Sequence, residues 1–137
     1  MKRVVKNQIF ASCDPSDFVG RTAELERLLS HAAGESRSNG LVLLSAPNSG
    51  TSELLRQAYD RFFLDQTDVI PFYFEIRLSD GNVRNTAVRF LREFLLQTVA
   101  FRRHDTKILD SSPEICEMAE LAVPADGYWI EIGRAHV

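Results

Sequence analysis

Residues 45–52 read Ser-Ala-Pro-Asn-Ser-Gly-Thr-Ser, after an apolar run and before an amphipathic stretch. A turn that opens a helix leaves the first backbone N–H groups without acceptors and pointing outward. The helix dipole adds partial positive charge there, and phosphate is the anion such a place holds best. In the frame G-x-x-x-x-G-K-[ST], the lysine reaches the β- and γ-phosphates and the last hydroxyl binds Mg²⁺. On that frame Ser45 stands at the first glycine, Gly50 at the second, Thr51 at the lysine and Ser52 at the hydroxyl. Ala46, Pro47, Asn48, Ser49, Gly50, Thr51 and Ser52 are the candidate phosphate contacts, and Ser52 is the candidate Mg²⁺ ligand. The plainer reading of the same residues is an ordinary strand-to-helix turn closed by a capping hydroxyl.

The missing lysine sets the chemistry. Phosphoryl transfer builds negative charge between attacking and leaving oxygens, and a cation at that point lowers the barrier. Threonine offers a hydroxyl without charge, so weak nucleotide binding and slow or absent hydrolysis are expected, and no catalytic residue is assigned. Arg56, one turn along the following helix, has the reach of a substitute but reads more simply as a solvated helix-face arginine. Other constellations are poorer. Cys13 and Cys116 are far apart, with no CxxC and no histidine at metal-ligand spacing. His31 and His104 are isolated. Arg84, Arg89, Arg92, Arg102 and Arg103 form a basic stretch interrupted by Glu93, in a chain of net charge −3, so a nucleic-acid surface is not expected.

The elements that would position this loop follow from periodicity. Leu25, Leu28, Leu29 and Ala32 share one helical face, with Thr22 at the start and Gly34 past the end. LVLLSA, residues 41–46, is an unbroken apolar run of the kind a covered parallel strand shows. Leu54, Leu55, Ala58, Tyr59 and Phe62 make a helical stripe after the loop. VIPFYFEIRL, residues 69–78, is rich in aromatic and β-branched residues and reads as a second strand, with Pro71 at its start or on an edge. SDGN is a turn, and Ala87, Phe90, Leu91, Phe94, Leu95 and Thr98 predict a long helix over residues 83–103. Residues 104–112 are polar, and Ser112-Pro113-Glu114 predicts a further short helix through Leu121. Strands alternating with helices imply an α/β fold with a parallel sheet.

FVGRTAEL, residues 18–25, resembles the segment that precedes the phosphate loop in AAA+ and related STAND ATPases, and SELLRQAYDRFF resembles the helix that follows it. With residues 69–76 the resemblance covers residues 18–103. It implies an incomplete P-loop NTPase-type parallel sheet flanked by helices. It also implies that Phe18, Val19 and Gly20 border the base, that residues 46–52 wrap the phosphates, and that the ligand is ATP or ADP with Mg²⁺. The acidic strand end, the sensor and the arginine finger of that family would follow residue 130.

The remaining expectations concern organisation and setting. Hydrophobic residues make up 45% and charged residues 26% of the 137, a composition able to bury a core. No run approaches the length of a membrane span, and the N-terminus lacks an uninterrupted apolar segment, so a cytoplasmic protein is expected. EIGRAHV, residues 131–137, resembles a translated short-read sequencing adapter and is expected to be foreign, with the native chain continuing past Ile130. The expected organisation is an N-terminal extension at 1–17, a truncated nucleotide-binding domain at 18–130, and that tail. Partners beyond the nucleotide would be another protein or a second copy, engaged through the missing C-terminal part. The leading function is a nucleotide-binding regulatory module. A nucleotide-free scaffold for protein contacts is its main rival, with an ATPase using a substitute cation and a DNA-binding ATPase further behind.

Overall fold

The computed structural model describes residues 5–34, 40–111, 114 and 117. The chain divides into two compact units, one spanning Lys6–Tyr73 and the other running from Phe74 onward with Val5.

The first unit holds α1 (Thr22–Ala32) and α2 (Thr51–Asp65), which pack on each other. Leu25, Leu28 and Leu29 are half-buried on α1, as their spacing requires. Thr22 is the first helical residue and not the cap, since Arg21 occupies that position without a side-chain hydrogen bond. Gly34 ends the helix at φ +82°, its N–H donating to the His31 carbonyl, the left-handed geometry that glycine adopts without a Cβ penalty. α2 buries Leu54, Ala58, Tyr59 and Phe63. It buries Gln57 and Asp60 on the same side, and both are occupied by the N-terminal segment, as described below.

The second unit is built on α3 (Val83–Arg103), a 3₁₀ turn at Leu78–Asp80 and α4 (Lys107–Ser111). Asn82 caps α3, its side chain accepting from the Asn85 N–H at 2.9 Å. His104 closes it in the left-handed conformation. Every residue from 95 to 101 is buried, so the C-terminal half of α3 is enclosed all round, while Val88 and Phe90 near its start are exposed. α4 falls in the stretch read as polar and buries Ile108.

The parallel-sheet α/β expectation is overturned. Among the described residues there is no strand: residues 41–46 and 69–77 run as irregular chain, and Leu78 enters the 3₁₀ turn. Val42 and Leu44 are 82% and 94% exposed, where a covered parallel strand would bury both faces. The physical reason lies in where the hydrogen bonds go. A strand exists only when a neighbour takes its N–H and C=O groups. An apolar run records the capacity to be covered and says nothing of a partner. Pro71, expected at a strand start or edge, is buried in irregular chain.

No helix among the described residues is long and apolar enough to cross a membrane. The expected helix from Ser112 through Leu121, Cys116 and the tail at 131–137 lie outside the described residues, apart from Glu114 and Glu117.

Candidate functional site

The loop expected to hold phosphate forms a tight turn into α2. The Ser49 N–H donates to the Ala46 carbonyl at 3.3 Å. Asn48 and Gly50 both take positive φ, +60° and +79°. For Asn48 this is the left-handed region that its short polar side chain tolerates. Gly50 sits at the cap position of α2 with no side-chain hydrogen bond at the helix start. The first helical bond runs from the Leu54 N–H to the Gly50 carbonyl at 2.9 Å. The amides of Thr51, Ser52 and Glu53 therefore have no intrahelical acceptor. Residues 45–53 and Arg56 line an open concavity of about 640 Å³. The structure thus brings Ala46, Pro47, Asn48, Ser49, Gly50, Thr51 and Ser52 together around one hollow.

Phe18, Val19 and Gly20 do not line that hollow. Val19 is 82% exposed and Gly20 turns the chain at φ +87°. Their contribution is to deliver the next residue. Arg21 Nη1 donates to the Ser49 carbonyl at 2.8 Å and lies 3.5 Å from Thr51 Oγ1, while its Nε meets Glu24 Oε1 at 3.4 Å. Ser49 Oγ and Thr51 Oγ1 are 3.1 Å apart. A guanidinium therefore stands beside Thr51, although Arg21, like the three residues before it, does not line the hollow. Sequence reasoning missed Arg21 because it precedes the loop by a helix and a connection. The signal was present in FVGR, where the arginine was read only as part of a resemblance.

Arg56 lines the hollow, with its Nη1 3.5 Å from Ser12 Oγ and its guanidinium 5.8 Å from the centre of the Tyr73 ring. Its guanidinium is turned to the N-terminal segment and the aromatic cluster, so it is not a free surface arginine.

The acidic neighbour is also committed elsewhere. Glu53 lines the hollow through its place on α2, but its carboxylate accepts from the Ser12 N–H at 2.9 and 3.1 Å, from the Cys13 N–H at 3.4 Å and from Gln57 Nε2 at 2.9 Å. Partial desolvation pushes this carboxyl up, and the bonds from Gln57, Ser12 and Cys13 outweigh it and hold it below the ordinary glutamate range. Cys13 Sγ stands 3.5 Å from Glu53 Oε1, and its pKa is raised by burial first and then by the Glu53 hydrogen bond and charge.

Ser52 is exposed at the second position of α2. It offers Mg²⁺ one neutral oxygen, and that ion demands six oxygens and keeps its waters. No cluster of three or more histidine, cysteine, aspartate or glutamate side chains among the described residues is placed to hold a metal.

No family model matches this chain, and no curated protein or solved structure matches it either.

Proposed function

We propose that this chain is a nucleotide-binding module that takes ATP or ADP by its phosphates at the start of α2, with weak or absent hydrolysis. The observation that supports this reading most is Arg21. Its guanidinium is anchored on the Ser49 carbonyl and lies 3.5 Å from the Thr51 hydroxyl, at a helix start whose first amides have no intrahelical acceptor. N–H groups without intrahelical acceptors on the wall of the hollow, and a positive charge close by, are what holding a phosphate requires; Arg56 lines the hollow, and Arg21 bonds the loop that forms it. Hydrolysis demands more: a positioned water and a charge placed on the transferring group. Thr51 withholds the second, and Arg21 is tied to the Ser49 carbonyl.

Calorimetric titration with ATP, ADP and pyrophosphate tests the reading. Micromolar binding that is lost in Gly50→Val supports it. Absence of binding at millimolar ATP sinks it.

A second reading, a nucleotide-free scaffold for protein contacts, is favoured by a separate feature of the unit that starts at Phe74. There Ile76, Leu78, Val83 and Phe90 are exposed around an open cavity of about 700 Å³. Contiguous exposed apolar surface of this kind marks interaction sites. On that reading Gly50→Val leaves protein association unchanged.

A further inference from the structure

The strongest unexplained feature lies on α2, away from its first turn. The Asp60 carboxylate, in a residue only 4% exposed, accepts three backbone N–H groups: Ile9 and Phe10 at 2.8 Å and Ala11 at 3.1 Å. About two turns nearer the helix start, Glu53 takes the amides of Ser12 and Cys13. Gln57, between them, donates to the Cys13 carbonyl at 2.9 Å. Five successive amides of the N-terminal segment thus end on two carboxylates of one helix. Phe10 fixes the register, its ring 4.6 Å from that of Tyr59 and 5.7 Å from that of Tyr73.

This arrangement has a consequence for the start of α2. Glu53 is the third helical residue, the position from which a glutamate normally reaches back to the N–H of the cap residue. Here it does not, because its oxygens are taken by Ser12 and Cys13, and α2 begins uncapped. Resting on the nucleotide reading above, we infer that residues 9–13 form a regulatory latch: docked on Asp60 and Glu53 they keep the first turn of α2 open to phosphate, and released they let Glu53 cap that turn and exclude it. The competition is between two anions for one helix start: the Glu53 carboxylate would take the Gly50 N–H, beside the amides of Thr51, Ser52 and Glu53 that a phosphate would use. A carboxylate tethered at the third position has the advantage of proximity, and its negative charge also repels an incoming phosphate.

Cys13 gives a direct readout of the latch. Docked, its thiol is half-buried against the Glu53 carboxylate, and both burial and that charge suppress the thiolate. The test uses the whole chain in a Cys116→Ser background, with maleimide labelling to follow Cys13 and pyrophosphate titration to follow the first turn. Asp60→Asn keeps the volume but turns an NH₂ toward amides that need an acceptor. It should speed labelling about tenfold or more, the scale of losing charge-assisted hydrogen bonds, and weaken pyrophosphate binding several-fold. Ser12→Pro removes one donor to Glu53 at an exposed position and should act in the same direction, so the test survives if Asp60→Asn fails to fold. The decisive arm is the double variant: with Glu53→Ala present, Asp60→Asn should no longer weaken pyrophosphate binding. Labelling unchanged by both Asp60→Asn and Ser12→Pro overturns the latch. An undiminished weakening in the Glu53→Ala background overturns the role of Glu53. If labelling responds but the starting chain binds no pyrophosphate, the nucleotide reading is wrong and the regulatory role falls with it, while the docking of residues 9–13 stands.

Discussion

Arg21 Nη1 lies 3.5 Å from Thr51 Oγ1, across a separation of 30 residues. The same nitrogen donates to the Ser49 carbonyl at 2.8 Å. The pair joins the turn before α1 to the first residue of α2, and it puts a cation beside Thr51. Arg21 thus braces the loop and charges it at once, and the two roles are separable by substitution.

If the guanidinium contacts phosphate, Arg21→Ala should lower ATP affinity by about tenfold, the scale of one charged hydrogen bond. Arg21→Lys should fall between, because an ammonium is a point charge and cannot keep the Ser49 carbonyl while facing a phosphate in fork geometry. Calorimetric titration of the three proteins decides it. Equal affinities would leave Arg21 as a brace only.

Thr51→Lys should tighten ATP binding, with the largest gain in the Arg21→Ala background, where two cations do not compete for the same space. A gain of about tenfold in that background fits one added charge contact. Affinity that stays flat in both backgrounds would mean that the loop is not shaped for phosphates.

Backbone strain predicts two opposite stability effects. A Cβ on Gly50 would meet only Arg21 Nη1, at 3.9 Å, so Gly50→Ala is not a clash. Its cost is the left-handed conformation at φ +79°, roughly 1–2 kcal/mol. Asn48, at φ +60°, should gain up to about 1 kcal/mol as Asn48→Gly, less the entropy that glycine adds to the unfolded chain. Urea midpoints moving down for the first and level or up for the second would agree. A level midpoint for Gly50→Ala would show that the turn relaxes out of this conformation.

In the unit that starts at Phe74, Arg89 grips Asp80 with both ends, Nε to Oδ1 at 3.0 Å and Nη2 to Oδ2 at 2.7 Å. The guanidinium also bonds the Glu75 carbonyl and stacks 4.2 Å from the Phe74 ring centre. The hydrogen bonds from Arg89 hold the Asp80 carboxyl below its ordinary value, ahead of an opposing desolvation effect. A carboxyl depressed on folding stabilises the folded state fully above its unfolded pKa of about 3.9. That stabilisation is lost as pH falls through the lower folded value. The chain should therefore lose stability between about pH 4 and the acid limit, and Asp80→Asn should flatten that limb while lowering the urea midpoint at pH 7. An acid limb of unchanged slope in Asp80→Asn would assign the loss to other carboxylates.

Helices α1, α2 and α3 were legible in the sequence for a local reason, whereas α4 falls in a stretch read only as polar. Each backbone bond of a helix closes within four residues, and its buried face repeats every turn, so the pattern that makes α3 is complete inside residues 83–103. Its ends are local too: Asn82 caps by bonding three residues ahead, and Gly34 closes α1 by reaching back three. The loop at 45–52 was legible as a candidate because its glycine, its hydroxyl and the helix after it are contiguous.

What only tertiary structure decided was every feature whose partner lies far along the chain. The runs at 41–46 and 69–78 have strand composition, yet a ladder needs a neighbour, and composition does not name one. Gln57 and Asp60 are polar residues that a helical stripe would place in solvent. Asp60 is buried because backbone amides some 50 residues away need an acceptor and find it there, and Gln57 because it donates to the Cys13 carbonyl. Arg21 looked like one letter of a motif until folding carried it to Thr51. Hydrogen bonds within a segment can be read from spacing; those that join segments wait on the path of the chain between them.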